Sequence, residues 1–132
     1  MFHLKSEMKH EIKSNLRGGV GDLDFCHLFS GAELGGRADM FAVVTLQPGQ
    51  SIGAHAHSTN GEAYLVLTGA VTVTEDGEAR ILNPGDAEFC ADGHTHSISN
   101  HTDEPATFLA LIMPDRCCGR HWRPVWFDPA RP

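Results

Sequence analysis

Asp76-Gly77 separates two short alternating runs, Val71–Glu75 and Glu78–Leu82. An Asp-Gly pair in that setting predicts a two-residue β-hairpin, because a type I′ turn needs positive φ at both central positions. Similar punctuation recurs along the chain. Pro48-Gly49 stops a long apolar run over residues 37–46, Ser58-Thr59-Asn60-Gly61 divides residues 51–57 from 62–67, and Asn83-Pro84-Gly85-Asp86 precedes residues 87–90. Residues 24–29, 94–99 and 107–113 complete about nine short strands, with 14 Gly and 7 Pro distributed between them. Short strands at close, regular spacing predict an all-β sandwich or barrel.

The ends differ from this middle. Met8, Ile12 and Leu16 fall at i, i+4 and i+8, a helical stripe that Ser6 can cap. The same residues alternate well enough for an edge strand, and Gly18-Gly19-Val20-Gly21 ends the segment either way. The expected organisation is therefore an N-terminal segment over residues 1–21, a barrel over 22–113 and a tail over 114–132. In the tail, Trp122, Trp126 and Phe127 predict an apolar clasp on the barrel or on a partner subunit. Cys117-Cys118 beside His121 lacks the spacing of a metal site and reads as packing.

At 132 residues and 14.3 kDa, the chain fits one domain. Its formal charge is −7, unevenly spread: residues 18–113 hold Arg37 and Arg80 against 13 acidic residues, while each end carries a net +2. Such an acidic middle repels phosphate backbones and argues against nucleic-acid binding. It also disfavours a strongly anionic substrate unless Arg37 or Arg80 points into a site. No apolar run approaches the roughly 18 residues that span a bilayer. The N-terminus lacks a signal-peptide pattern, and four cysteines without a CxxC pair make no disulfide framework, so a cytoplasmic protein is expected.

Nine histidines exceed the ordinary share, and they cluster. His55 and His57 are two apart on an expected strand, so both imidazoles face one side. After the turn containing Asn60-Gly61, Glu62 opens a strand expected beside the first, with Tyr64 on its face. His94, His96, Ile98 and Asn100 share one face of a later strand. Three imidazoles and a carboxylate meeting inside a barrel make a site for one divalent transition metal: Mn, Fe, Co, Ni, Cu or Zn. Four ligands leave a five- or six-coordinate ion open for substrate.

These residues resemble the two motifs of the cupins. Gly49, His55, His57, Glu62 and Gly69 stand at every fixed position of the first, and Gly85, Gly93, His96 and Asn100 match the second, where Ala91 replaces the usual proline. The resemblance covers roughly residues 38–113 and is to a small single-domain cupin. It implies a conical double-stranded β-helix, or jelly-roll barrel, with His55, His57, Glu62 and His96 as metal ligands.

The expected function is a metal-dependent enzyme on a small polar metabolite, dioxygenase-like or decarboxylase-like by analogy with cupins of this ligand set. The alternatives are a non-catalytic small-molecule-binding cupin and a cupin isomerase or lyase. Glu62 is the candidate general base, and Tyr64 either hydrogen-bonds substrate or packs with its hydroxyl satisfied. His94 is either a proton shuttle or a plain rim histidine. Met40, Val44, Val66 and Ile98 are expected to wall the interior. By analogy with small cupins, a homodimer paired through an edge strand is expected, with the N-terminal segment able to supply that strand.

Overall fold

The computed structural model describes residues 1–115, and the expectations for Cys117, Cys118, His121, Trp122, Trp126 and Phe127 lie outside the described residues. Among the described residues, ten strands form two antiparallel sheets. The larger has the order β1-β2-β3-β10-β5-β8, with β1 Lys9–Ser14, β2 Asp22–His27, β3 Met40–Leu46, β10 Ala106–Pro114, β5 Asn60–Thr68 and β8 Ala87–Cys90. The smaller has the order β4-β9-β6-β7, with β4 Ser51–Ala56, β9 Thr95–Ser99, β6 Val71–Glu75 and β7 Glu78–Leu82. This is the all-β jelly-roll barrel that the strand spacing and the cupin resemblance predict.

Period-2 alternation decides which side chains enter the space between the sheets. Ala42, Val44 and Leu46 of β3 and Ala106, Phe108 and Ala110 of β10 face inward from one sheet, and Ile52, Val71, Val73 and Ile98 meet them from the other. All are buried. Each fully buried Val, Leu, Ile or Phe side chain contributes about 1.5–3 kcal/mol by leaving water. The Asp76-Gly77 turn takes φ of 48° and 86°, as a type I′ hairpin requires. Asn100 is wholly buried and satisfied: its Nδ2 donates to the Leu46 and Glu104 carbonyls, and its Oδ1 accepts from the Thr102 backbone and hydroxyl.

Within the N-terminal segment, Lys9–Ser14 form an edge strand between short 3-10 turns at Lys5–Glu7 and Leu16–Gly18. β1 pairs with β2 from Lys9↔His27 to Ser14↔Asp22. The free edge of β2 offers a full row of backbone partners, whereas a helix would have needed cover for its apolar stripe. Ile12 instead faces outward and is 61% exposed, so the i, i+4 pattern of Met8, Ile12 and Leu16 carried no helical meaning here.

β4 and β5 are also not neighbours. The turn from His57 to Asn60 passes the chain from the small sheet to the large one, so Glu62 approaches from across the barrel. A turn signal marks where a strand ends but not which sheet the next strand joins.

Two glycines seat the segment after β1. A Cβ at Gly53 would lie 2.0 Å from the Arg17 carbonyl oxygen, and one at Gly19 would lie 2.2 Å from the Ser51 carbonyl oxygen. Only glycine permits so close a backbone approach. The chain around residues 17–19 is thereby laid directly on β4, the strand that carries His55.

Candidate metal centre

Three strands from both sheets deliver four side chains to one point. His55 stands on β4, opposite His96 of β9, next to an irregularity in the β4–β9 pairing between Ile52 and His55. A bulge re-aims side chains at such positions. His57 follows the end of β4, held by a hydrogen bond from its backbone amide to the His94 carbonyl (3.0 Å). Glu62 enters from β5. His57, Glu62 and His96 are buried, and His55 is nearly so, its side chain 8% exposed.

Their donor atoms converge. The Nε2 of His96 lies 3.1 Å from Nε2 of His55, from Nε2 of His57 and from Oε1 of Glu62. Glu62 Oε1 is 3.2 Å from His57 Nε2 and 3.6 Å from His55 Nε2. One ligand atom from each of the four lies within 4.8 Å of the others.

The far side of each ring explains why Nε2 is the presented atom. His55 Nδ1 donates to the Gly53 carbonyl at 2.8 Å, His57 Nδ1 to Asn60 Oδ1 at 2.7 Å, and His96 Nδ1 to Glu88 Oε1 at 2.5 Å. With the proton of each neutral ring on Nδ1, each Nε2 turns a lone pair inward. Three lone pairs and a carboxylate oxygen facing one another repel unless a cation stands among them. Donors about 2.1 Å from a common centre lie about 3.0–3.4 Å apart, close to the spacing found here. The group can therefore hold a metal ion, and neutral imidazoles with one carboxylate suit a divalent transition metal.

Charges within the cluster shift the pKa values of His96 and Glu62 in opposite directions. Burial presses the His96 pKa down, but hydrogen bonds to Glu62 and Glu88 and their charges outweigh it and bring it up to about 9. Burial pushes the Glu62 carboxyl up, yet hydrogen bonds and charge from the surrounding imidazoles bring it down to about 2.

Tyr64, the candidate on the Glu62 face, is 1% exposed and stacks on His96, with ring centroids 4.7 Å apart and planes 7° from parallel. Its hydroxyl is buried without a hydrogen-bond partner among the described residues. Burial, then the nearby charge of Glu62, raises its pKa well above 10, so it stays a protonated donor. His94 is not brought to the cluster. It precedes β9, its side chain is 52% exposed, and its Nδ1 pairs with Asp76 on the β6–β7 turn. That hydrogen bond and the Asp76 charge raise its pKa.

A cavity of about 110 Å³ opens onto the cluster, walled by Phe25, Met40, Val44, Ile52 and Ile112, with Tyr64 at its side. Val66 and Ile98 are buried in the core and do not wall this cavity. Arg37 stands on an exposed loop, and Arg80 pairs with Glu78 on the surface; neither reaches it. Sequence reasoning passed over Glu88, Asn60 and the Gly53 carbonyl, which orient the imidazoles. Glu88 had one usable signal: an acid sharing its strand face with apolar Cys90, which is buried.

Comparison with known proteins agrees with this architecture. The family model of the cupin domain matches residues 42–112. A protein of Thermotoga maritima named "Oxalate-binding protein" is 36% identical over 108 residues, covering 82% of this chain and 89% of that one. The crystal structure of a "predicted oxalate decarboxylase" from Thermotoga maritima superposes with a TM-score of 0.83 at 35% identity, covering 86% of this chain and 99% of the other. KdgF from Halomonas sp. shares the fold, with a TM-score of 0.68 at 22% identity over 88% of this chain and 96% of that one.

Proposed function

This chain belongs to the cupin domain family, and we propose that within it the protein is a metal-dependent enzyme acting on a small polar metabolite, with decarboxylase-like chemistry ahead of dioxygenase-like. The observation that carries this is the inward convergence of three Nε2 atoms and the Glu62 oxygen, each imidazole fixed from behind. The printed name of the Thermotoga crystal structure, a predicted oxalate decarboxylase, favours decarboxylation of a small acid.

His55, His57, Glu62 and His96 are the proposed ligands. A divalent ion bound there supplies Lewis acidity toward substrate oxygens. The apolar wall excludes water, and the unpartnered Tyr64 hydroxyl donates a hydrogen bond to a bound oxygen. Glu62, ionised down to about pH 2, serves better as ligand than as proton acceptor. His94, tied to Asp76 on the surface, takes no part in this reading.

A second reading, a binding protein without turnover, is favoured by the relative's name. Metal analysis, with assays of CO₂ release from small keto and dicarboxylic acids and oxygen uptake on aromatic diols, separates the two. We expect close to one ion per chain and turnover that chelation removes. Retained metal without turnover across the panel selects the binding reading, and purified protein that takes up no ion defeats both. The active form is proposed to be a homodimer, which a 14.3 kDa particle in sedimentation of the same sample would exclude.

Metal uptake should depend steeply on pH. His96 must lose its Nε2 proton to ligate, and in the metal-free chain it keeps that proton up to about pH 9. Below that value apparent affinity falls about tenfold for each unit that pH drops, one proton being displaced per ion. Titrations at pH 7 and pH 8 are expected to differ by that factor, with the tighter binding at pH 8. Equal affinities would show that no such proton competes.

A further inference from the structure

Two cations line the cavity beside the ligand cluster, and both come from the N-terminal segment. Lys13 of β1 and Arg17 of the turn after it line the same space as His55, His57 and Glu62. Lys13 lies opposite Leu23 in the β1–β2 register, on the face that turns toward the interior. Its Nζ sits 4.5 Å from the centre of the Phe25 ring, which itself walls the cavity. Its ion-pair partner among the described residues is Glu11, at 4.0 Å and half exposed, a weak hold.

Arg17 adopts φ 57° and ψ 30°, between Asn15 at φ 47° and Gly18 at φ 79°. A side-chain-bearing residue takes this left-handed conformation only at a cost, and such costs collect at functional sites. The strained turn is pressed onto β4 through Gly53 and Gly19. It therefore has a fixed position relative to His55.

The electrostatics are unusual for this chain. The whole carries −7, yet among the described residues the charged side chains lining this cavity are Lys13, Arg17 and Glu62. With Glu62 committed to a divalent ion, the cavity is positive both at the ligand cluster and along the lining beside it. Its walls are apolar, and its volume is about 110 Å³. We propose that Lys13 and Arg17 select a small carboxylate, one with oxygen donors for the metal at one end and negative charge for the two cations at the other. The apolar walls favour a carbon-bearing anion over inorganic phosphate. This inference rests on the reading of the four-residue cluster as a metal centre.

The test compares metal-loaded wild type with Lys13→Gln, Arg17→Gln and the double variant, by calorimetric titration of oxalate, malonate, inorganic phosphate and the uncharged oxamide. Wild type is expected to prefer the dicarboxylates to oxamide and phosphate by tenfold or more. Each single variant should weaken dicarboxylate binding about tenfold and the double variant 50- to 100-fold, with oxamide unchanged. Arg17→Gly, which relieves the left-handed backbone, should keep the wild-type melting temperature within a few degrees yet lose the same tenfold. That result separates the guanidinium's role in binding from a role in folding. A double variant that holds its metal and binds dicarboxylates like wild type overturns the proposal. So does a metal-loaded wild type that prefers phosphate or binds none of the acids. Failure of wild type to hold metal appears in the metal analysis before any ligand is added, and it sinks the underlying reading instead.

Discussion

His96→Ala is expected to hold less than a tenth of an ion per chain under conditions where wild type holds close to one. The reason is the central place of His96 Nε2, 3.1 Å from each of the other three donors. Losing an outer partner of a metal ligand typically costs 10–100-fold in affinity. Deleting the ligand costs more, so a fall of at least about 100-fold is expected. The substitution also strands Glu88, whose Oε1 accepts from His96 Nδ1, and uncovers the face of Tyr64. Metal content after dialysis against micromolar metal is the measurement, with a thermal melt alongside to show that the variant folds. Glu88→Gln is the informative comparison: it keeps all four donors and should lose the smaller factor. Full metal content in a folded His96→Ala chain would remove the centre from this account.

Phe108→Ala is expected to destabilise the chain by about 3–5 kcal/mol, the usual cost of emptying a buried aromatic site. Phe108 is fully buried on β10, and its ring meets Tyr64 edge-on, with centroids 4.8 Å apart and planes at 69°. Tyr64 in turn stacks on His96. The three rings form a column running from the core to the ligand cluster, and Ala106 and Ala110 on the same face of β10 are too small to fill the space Phe108 leaves. Domains carry only about 5–15 kcal/mol of net stability, so this is a large share. The melting temperature should fall by roughly 10–20 °C. Metal uptake should also weaken, because Tyr64 loses the contact that holds its ring against His96. A fall of less than about 3 °C would mean that the site collapses around the smaller side chain and that the column is not what holds Tyr64 in place.

Much of this centre could be read in advance, and particular residues show why. His55 and His57 are two apart, and strand geometry alone puts them on one face. Asp76-Gly77 demands positive φ, and the hairpin follows. The inward alternation of Ala42, Val44 and Leu46 requires only that residues 40–46 be extended. Other features stayed illegible. The stretch carrying Met8, Ile12 and Leu16 fitted both a helical stripe and an edge strand, and the free edge of β2 decided between them. Glu62 was expected beside His55, but it arrives from the opposite sheet. Arg37 and Arg80 were the cations considered for an anionic substrate; Lys13 and Arg17, counted only as part of a basic terminus, line the cavity in their place.

Local sterics bind each residue to its near neighbours, so strand period, turn type and the inward-facing set of donor side chains were already determined in the order of the amino acids. Partnership between strands is a contest among distant backbone edges and apolar faces, settled by which pairing buries most and leaves fewest amides unpaired. Only the folded chain could settle that Glu62 faces the histidines from across the barrel, that Glu88 stands behind His96, and that two N-terminal cations line the cavity.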